Sequence, residues 1–182
     1  GPDTARLFIL FASSPEREIE WSDEGAHASF KFLKRVQSLY LTEPEYRVEE
    51  NKKDAFMISK LHKCIRDVTV HIEDIKPNLA IGSIMELVNE TLKYRDEPVF
   101  ESLYKQIARF LSLLIAPFAP HLAEEAWSSI DEKGYVSLAE WPGYDEGKID
   151  LEAEQAETMV SELFGDITKV KELAKKDKLE KV

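Results

Sequence analysis

The sequence contains a single cysteine, Cys64, so a disulfide framework is excluded, and its histidines lack the cysteine partners of a zinc site. It has only 7 glycines and 8 prolines in 182 residues, too few for a chain built of many hairpins. No run of about 18 apolar residues occurs, and the N-terminus lacks the basic-then-apolar pattern of a signal peptide. These absences predict a cytoplasmic protein with no membrane partner.

Residues in a catalytic context are also missing. There is no glycine-rich phosphate loop, and no serine, cysteine or threonine stands in a nucleophile motif. His121 precedes Glu124 and Glu125 as in a metalloprotease helix, but no second histidine lies one turn away to share a metal. His62 and His71 lack a ligand set in the same way. We therefore predict no catalytic residue, no metal site and no cofactor within this chain.

The apolar residues, 43% of the chain, are spaced as in amphipathic helices. The clearest stripe repeats every three or four residues and comprises Ala55, Ile58, Leu61, Ile65, Val68, Ile72 and Ile75. An earlier stripe assigns Ala26, Phe30, Leu33 and Tyr40 to the core. No segment alternates as a half-buried strand does. The predicted fold is all-α, an antiparallel helical bundle with a trailing C-terminal helix.

Proline, glycine and charge divide the chain into four predicted segments. Residues 1–20 hold a short junction helix, residues 21–131 the bundle, residues 132–151 an irregular linker, and residues 152–182 a basic amphipathic helix. Gly1-Pro2 without an initiator methionine resembles the scar of a cleaved tag, and Asp3 begins in mid-pattern. We therefore expect a fragment of a longer protein.

Charge is unevenly distributed. The net charge is −11, yet residues 31–70 hold nine basic against six acidic side chains. Two basic stripes lie on successive predicted helices and comprise Lys31, Lys34 and Arg35, then Lys60, Lys63 and Arg66. If the two helices pack as neighbours, six cations converge on one surface that suits an RNA phosphate backbone. The alternative is that both stripes are ordinary solvated helix faces.

Several separated motifs, in order, resemble one family. They are Asp3-Thr4-Ala5-Arg6-Leu7-Phe8, Glu20-Trp21-Ser22-Asp23-Glu24-Gly25, Phe32-Leu33-Lys34-Arg35-Val36, and Pro117-Phe118-Ala119-Pro120-His121-Leu122-Ala123-Glu124-Glu125-Ala126-Trp127. Residues 3–142 together resemble the segment that follows the signature lysine loop in leucyl-tRNA synthetases. Gln37, where the family often has an aromatic residue, and the basic helix after residue 150 depart from that pattern.

The resemblance implies an anticodon-binding-type helical domain that docks tRNA(Leu) on its phosphate backbone. The parent enzyme would be a monomeric ligase that joins leucine to tRNA(Leu) with ATP and Mg²⁺, using a catalytic domain elsewhere in the same polypeptide. Asp3 and Arg6 would brace the junction to that domain, unless Arg6 simply pairs with Asp3.

Two other hypotheses stay open. One is an acidic helical module for protein–protein interaction, whose mark would be an exposed apolar stripe on the helix after residue 152. The other is the same domain of an isoleucyl-, valyl- or methionyl-tRNA synthetase, because those enzymes share the bundle and the Pro-His-x-x-Glu-Glu element.

Overall fold

A computed structural model describes residues 1–12, 18, 20–160, 163 and 167. Six helices are α1 (Pro2–Ala12), α2 (Asp23–Leu41), α3 (Lys52–Glu73), α4 (Pro77–Tyr94), α5 (Glu101–Ile115) and α6 (Pro120–Ser129). Residues 151–160 form a further helix, α7. The predicted all-α bundle is confirmed. None of these helices, over the residues described, is long and apolar enough to cross a membrane.

Local sequence signals explain where most helices begin. The Ser22 hydroxyl accepts a hydrogen bond from the Gly25 amide at the start of α2. Asn51 and Asp54 form a reciprocal capping box at the start of α3. Proline occupies the first position of α4 and α6, where its missing N–H costs least.

Helix α4 lies at the centre of the bundle and packs against α1, α2, α3 and α5. Its buried side chains meet those of α3 and α5 in one core, whose largest fully buried members include Leu61, Ile65, Ile81, Ile84, Leu87, Ile107, Leu111 and Leu114. Helix α1 shares this core through Leu7, which is 1% exposed. Residues 1–12 are therefore part of the same packing unit as the helices that follow.

The α3 stripe extends less far than its spacing suggests. The helix ends at Glu73, and Ile75, expected in the core, adopts a φ of 56° with 68% of its surface exposed. Ala55 and Ile72 of the predicted stripe are also exposed. The turn before Pro77 redirects the chain into α4, so the last apolar residue of the stripe points to solvent.

The predicted loop before α3 contains a short strand that was not expected. Strand β1 (Tyr46–Arg47) pairs in parallel with β2 (Val99–Phe100). Both strands are held by Asp54, whose side chain is 3% exposed. It forms an ion pair with Arg47 and accepts a hydrogen bond from the Tyr94 hydroxyl at 2.5 Å. Tyr94 in turn accepts the Phe100 amide at 2.9 Å, so one carboxylate connects both strands to α3 and α4.

Candidate nucleic-acid interface

The two predicted basic stripes lie on α2 and α3, which both pack against α4. Arg35 of α2 donates a hydrogen bond to the Asn89 side chain, and Lys60 of α3 contacts Glu86 at 2.8 Å. Asn89 and Glu86 are one turn apart on α4, so the stripes flank the same face of that helix. The six cations therefore share one side of the bundle but are separated by α4.

The three α2 cations are exposed to solvent. Lys31, Lys34 and Arg35 all lie on the outer face of the helix. The recorded partners of Lys34 and Arg35 are the neutral amides of Gln37, at 3.0 Å, and Asn89. An amide leaves the positive charge uncompensated, so these side chains retain a charge that can attract phosphate.

The three α3 cations are paired with carboxylates instead. Lys60 lies 2.8 Å from Glu86 and 3.2 Å from Glu154, and its side chain is only 16% exposed. Lys63 lies 3.1 Å from the same Glu154 oxygen. Arg66 contacts Asp67 at 2.9 Å and Glu146 at 3.5 Å. Most of the positive charge of this stripe is thus neutralised within the protein.

Two of these carboxylates, Glu146 and Glu154, reach α3 because the end of the predicted linker and the first turn of α7 are docked along that helix. We call residues 141–154 the C-terminal strap. Its hydrogen bonds to α3 follow an order that runs antiparallel to the helix. They include Trp141 Nε1 to Thr69 Oγ1 (2.9 Å), the Asp145 amide to His62 Nδ1 (3.1 Å), the Asp150 amide to Ser59 Oγ (2.8 Å), and Ser59 Oγ to Glu154 Oε1 (2.8 Å). The strap covers the basic stripe of α3.

The directions of the pKa shifts of Glu154 and Lys60 support this pairing. Burial alone would raise the pKa of Glu154, but hydrogen bonds from Ser59 and Lys63 and the charge of Lys60 outweigh it and lower the pKa. Burial likewise opposes the charge of Lys60, but Glu86 and Glu154 raise its pKa overall. Both groups are therefore ionised at neutral pH, and the pair is a true salt bridge.

The predicted junction residues have different surroundings from each other. Asp3 is buried, accepts the Leu122 amide at 2.8 Å and lies 2.8 Å from His121 Nδ1. It therefore caps the N-terminus of α6, whose own N-cap residue provides no side-chain hydrogen bond. Arg6 is exposed and is not the partner of Asp3. The role of Asp3 and Arg6 at a domain junction stays a prediction.

His62 and Cys64 of α3 contact neighbouring segments of the fold, as structural residues do. His62 accepts the Asp145 amide in the strap, and burial lowers its pKa, which favours the neutral ring that this bond requires. Burial raises the pKa of the Cys64 thiol, which lies 3.4 Å from the Ser83 carbonyl oxygen. Across the described residues, no three His, Cys, Asp or Glu side chains converge as around a metal ion.

Sequence reasoning misplaced one residue of this interface. Phe30, expected in the core, is 43% exposed on the outer face of α2. The adjacent buried side chains are Ser29 and Phe32, together with Leu33, which the stripe predicted correctly. A signal was present, because Phe30 lies one turn before Lys34, a residue of the outer stripe.

Comparison with known proteins gives matches in both sequence and structure. The family model described as the anticodon-binding domain of tRNA ligase matches residues 54–182. A leucine–tRNA ligase of Thermotoga petrophila is 36% identical over 165 residues, which cover 84% of this chain and 20% of that protein. One of Roseiflexus castenholzii is 38% identical over 166 residues, covering 84% and 18%.

A solved structure shares the fold. It is the ternary complex of a LeuRS of Agrobacterium radiobacter K84 with tRNA and LeuAMS, with a TM-score of 0.74 and 27% identity over 82% of this chain. The match covers 20% of that structure's chain. The present chain thus spans about a fifth of the length of the relatives that it matches.

Proposed function

This chain belongs to the anticodon-binding domain family of tRNA ligases, and on that premise we propose that it docks tRNA(Leu) for a leucine–tRNA ligase. The proposal assigns the ATP- and Mg²⁺-dependent joining of leucine to a catalytic domain of the same polypeptide. The described residues act by orienting tRNA. The leucine assignment is supported by the curated relatives, which are leucine–tRNA ligases.

The observation that carries the proposal is the exposed cationic face of α2, formed by Lys31, Lys34 and Arg35. The chain as a whole has a net charge of −11, so phosphate is repelled from most of its surface. Among the described residues, the three α2 cations form a local group whose charge favours phosphate. Such contacts position a nucleic acid without reading its sequence.

The ion pairs of the α3 stripe limit which of the predicted cations we assign to tRNA contacts. All six cations, Lys31, Lys34, Arg35, Lys60, Lys63 and Arg66, were predicted to bind RNA. We propose that α2 makes the phosphate contacts, because Glu146 and Glu154 of the strap already occupy the α3 stripe. The ion-paired α3 residues then serve to hold the strap in place.

The proposal predicts a salt-dependent interaction with tRNA. Titration of a labelled tRNA(Leu) transcript with the 182-residue chain should give an affinity that falls linearly as salt rises on logarithmic axes. Three phosphate contacts correspond to a slope of about −2 to −3, because each neutralised phosphate releases condensed counterions. Binding that does not change with salt, or no binding at low salt, contradicts the proposal.

The amino-acid assignment needs a separate measurement. Aminoacylation by the full-length parent, assayed with leucine, isoleucine, valine and methionine, should proceed with leucine. Preferential charging with one of the other three would assign the domain to a neighbouring synthetase of the same class.

A second candidate function is supported by the apolar surface of α7 and the positions that follow it. Met159 is 70% exposed, and Val160, Leu163 and Ile167 are 44%, 61% and 41% exposed. An exposed apolar stripe is the mark expected of a protein–protein interaction module. This candidate predicts that the chain captures a protein partner and that the capture survives nuclease treatment. A partner that is held only through docked tRNA would be released by nuclease.

A further inference from the structure

Phe30 lies on the outer face of α2 between the side chains of His27 and Lys34. The residue is 43% exposed. The Lys34 ammonium lies 5.9 Å from the ring centroid, and the His27 ring stacks beside it at 6.4 Å with an interplanar angle of 26°. Both neighbours are on α2 itself, so the helix alone holds this arrangement.

Part of the Phe30 surface therefore stays accessible beside Lys31, Lys34 and Arg35. Lys31 and Arg35 continue the positive charge along the next turn, whereas Asp23 and Glu24 occupy the first turn of the helix. A polyanion would therefore follow α2 from Phe30 toward Arg35 and avoid its first turn. Single exposed apolar residues are common, but an exposed ring among cations combines two features that bind single-stranded nucleic acid.

We propose that Phe30 is a stacking platform for an unpaired base of the docked tRNA, while Lys31, Lys34 and Arg35 bind the adjoining phosphates. This inference rests on the proposed function and adds the kind of RNA element that α2 contacts. Bases within a duplex are stacked on one another and present no open face, whereas bases of loops and bulges do. The α2 face therefore docks against a loop or bulge of the tRNA.

The test compares three substitutions at Phe30 in the full 182-residue chain, with the tRNA(Leu) transcript as probe. Phe30→Ala should weaken binding about tenfold, because one base–aromatic stack is lost. Phe30→Tyr should bind like the wild type, because the π-face is kept. Phe30→Leu should bind like Phe30→Ala, because it keeps apolar surface but has no π-face.

The salt slope separates stacking from charge. Phe30→Ala removes no charge, so its affinity should be lower at every salt concentration with the slope unchanged. A second pair of probes also separates stacking from charge. The wild type should bind a single-stranded oligoadenylate of about a dozen nucleotides more tightly than a duplex of that length. Phe30→Ala should lose this preference. Circular dichroism checks that each variant is folded.

Several results would overturn the inference. Equal binding by Phe30→Ala and wild type removes the platform and leaves the cationic face intact. Full activity of Phe30→Leu shows a merely apolar contact, such as a protein partner would make. If the wild-type chain binds neither probe, the proposed function fails, and this inference fails with it.

Discussion

Replacing Lys31, Lys34 and Arg35 together with glutamate should abolish binding of tRNA(Leu), with a loss of roughly 100-fold at moderate salt. These side chains are exposed, and Lys34 and Arg35 contact neutral amides, so reversal converts three attractive phosphate contacts into repulsive ones. The salt slope should fall by about 2 to 3, one for each phosphate contact removed. Stability should change little, because no buried atom is altered.

A matched variant controls for net charge. Lys52 and Lys105 are exposed on α3 and α5, and Lys133 is exposed after the end of α6. Glutamate at these three positions changes the net charge by the same amount and should weaken binding far less. If both triple variants lose affinity equally, binding depends on overall charge alone, and the assignment of a local face to α2 is wrong.

Replacing Asp54 with alanine should lower the free energy of unfolding by about 3–5 kcal/mol, as expected when one partner of a buried ion pair is removed. Its side chain is 3% exposed and that of Arg47 18% exposed, so the guanidinium is left without its counter-charge. The change also removes the capping box of α3 and the acceptor of the Tyr94 hydroxyl. Urea denaturation measures the effect.

Two comparisons make this stability prediction specific. Glu97→Gln breaks an exposed pair with Lys53 and should leave the stability almost unchanged, because solvent screens that pair. Tyr94→Phe removes one hydroxyl from the network and should cost about 1 kcal/mol more than Glu97→Gln. An Asp54→Ala variant as stable as Glu97→Gln would show that the carboxylate does not hold the β1–β2 pair.

Asp54 also predicts how stability depends on pH. Burial alone would raise its pKa, but hydrogen bonds from Arg47, Tyr94 and the Asn51 amide outweigh burial and lower the pKa below its usual value of 3.8. Its stabilising effect is therefore complete above that value and is lost as pH falls through the lower folded-state pKa. The wild type should lose stability steeply in acid, and the difference from Asp54→Ala should shrink there.

Helix positions were predictable because amphipathic spacing and capping residues act locally. The α3 stripe identified the buried Leu61, Ile65 and Val68, and Pro120 marked the start of α6. The stripe predicted Ile75 wrongly, because the spacing of apolar residues carries no signal of the turn before Pro77. The two-residue strands were missed for another reason. The contact between Asp54 and Tyr94 that holds them is tertiary, because the two residues are 40 positions apart in the sequence.

The availability of each cation was not predictable from spacing. Lys34 and Lys63 look alike in the sequence, each on a polar stripe of an amphipathic helix. They differ because Glu154, 91 residues after Lys63, is brought against it by the strap. Phe30 was misassigned because its spacing to Leu33 fits an apolar stripe, whereas packing of α2 against α1, α4 and α6 buries the neighbouring Ser29 and Phe32.

Site-specific photo-crosslinking to tRNA(Leu) tests most directly whether the α2 face, and not the strap-covered α3 stripe, contacts RNA. A benzophenone-bearing amino acid is placed at position 34, at position 63, or at exposed position 105 on α5, and each chain is irradiated with the transcript at low salt. Strong crosslinking from position 34 with little from 63 or 105 is expected. Crosslinking from position 63 that equals or exceeds that from 34 would contradict the assignment of tRNA docking to α2.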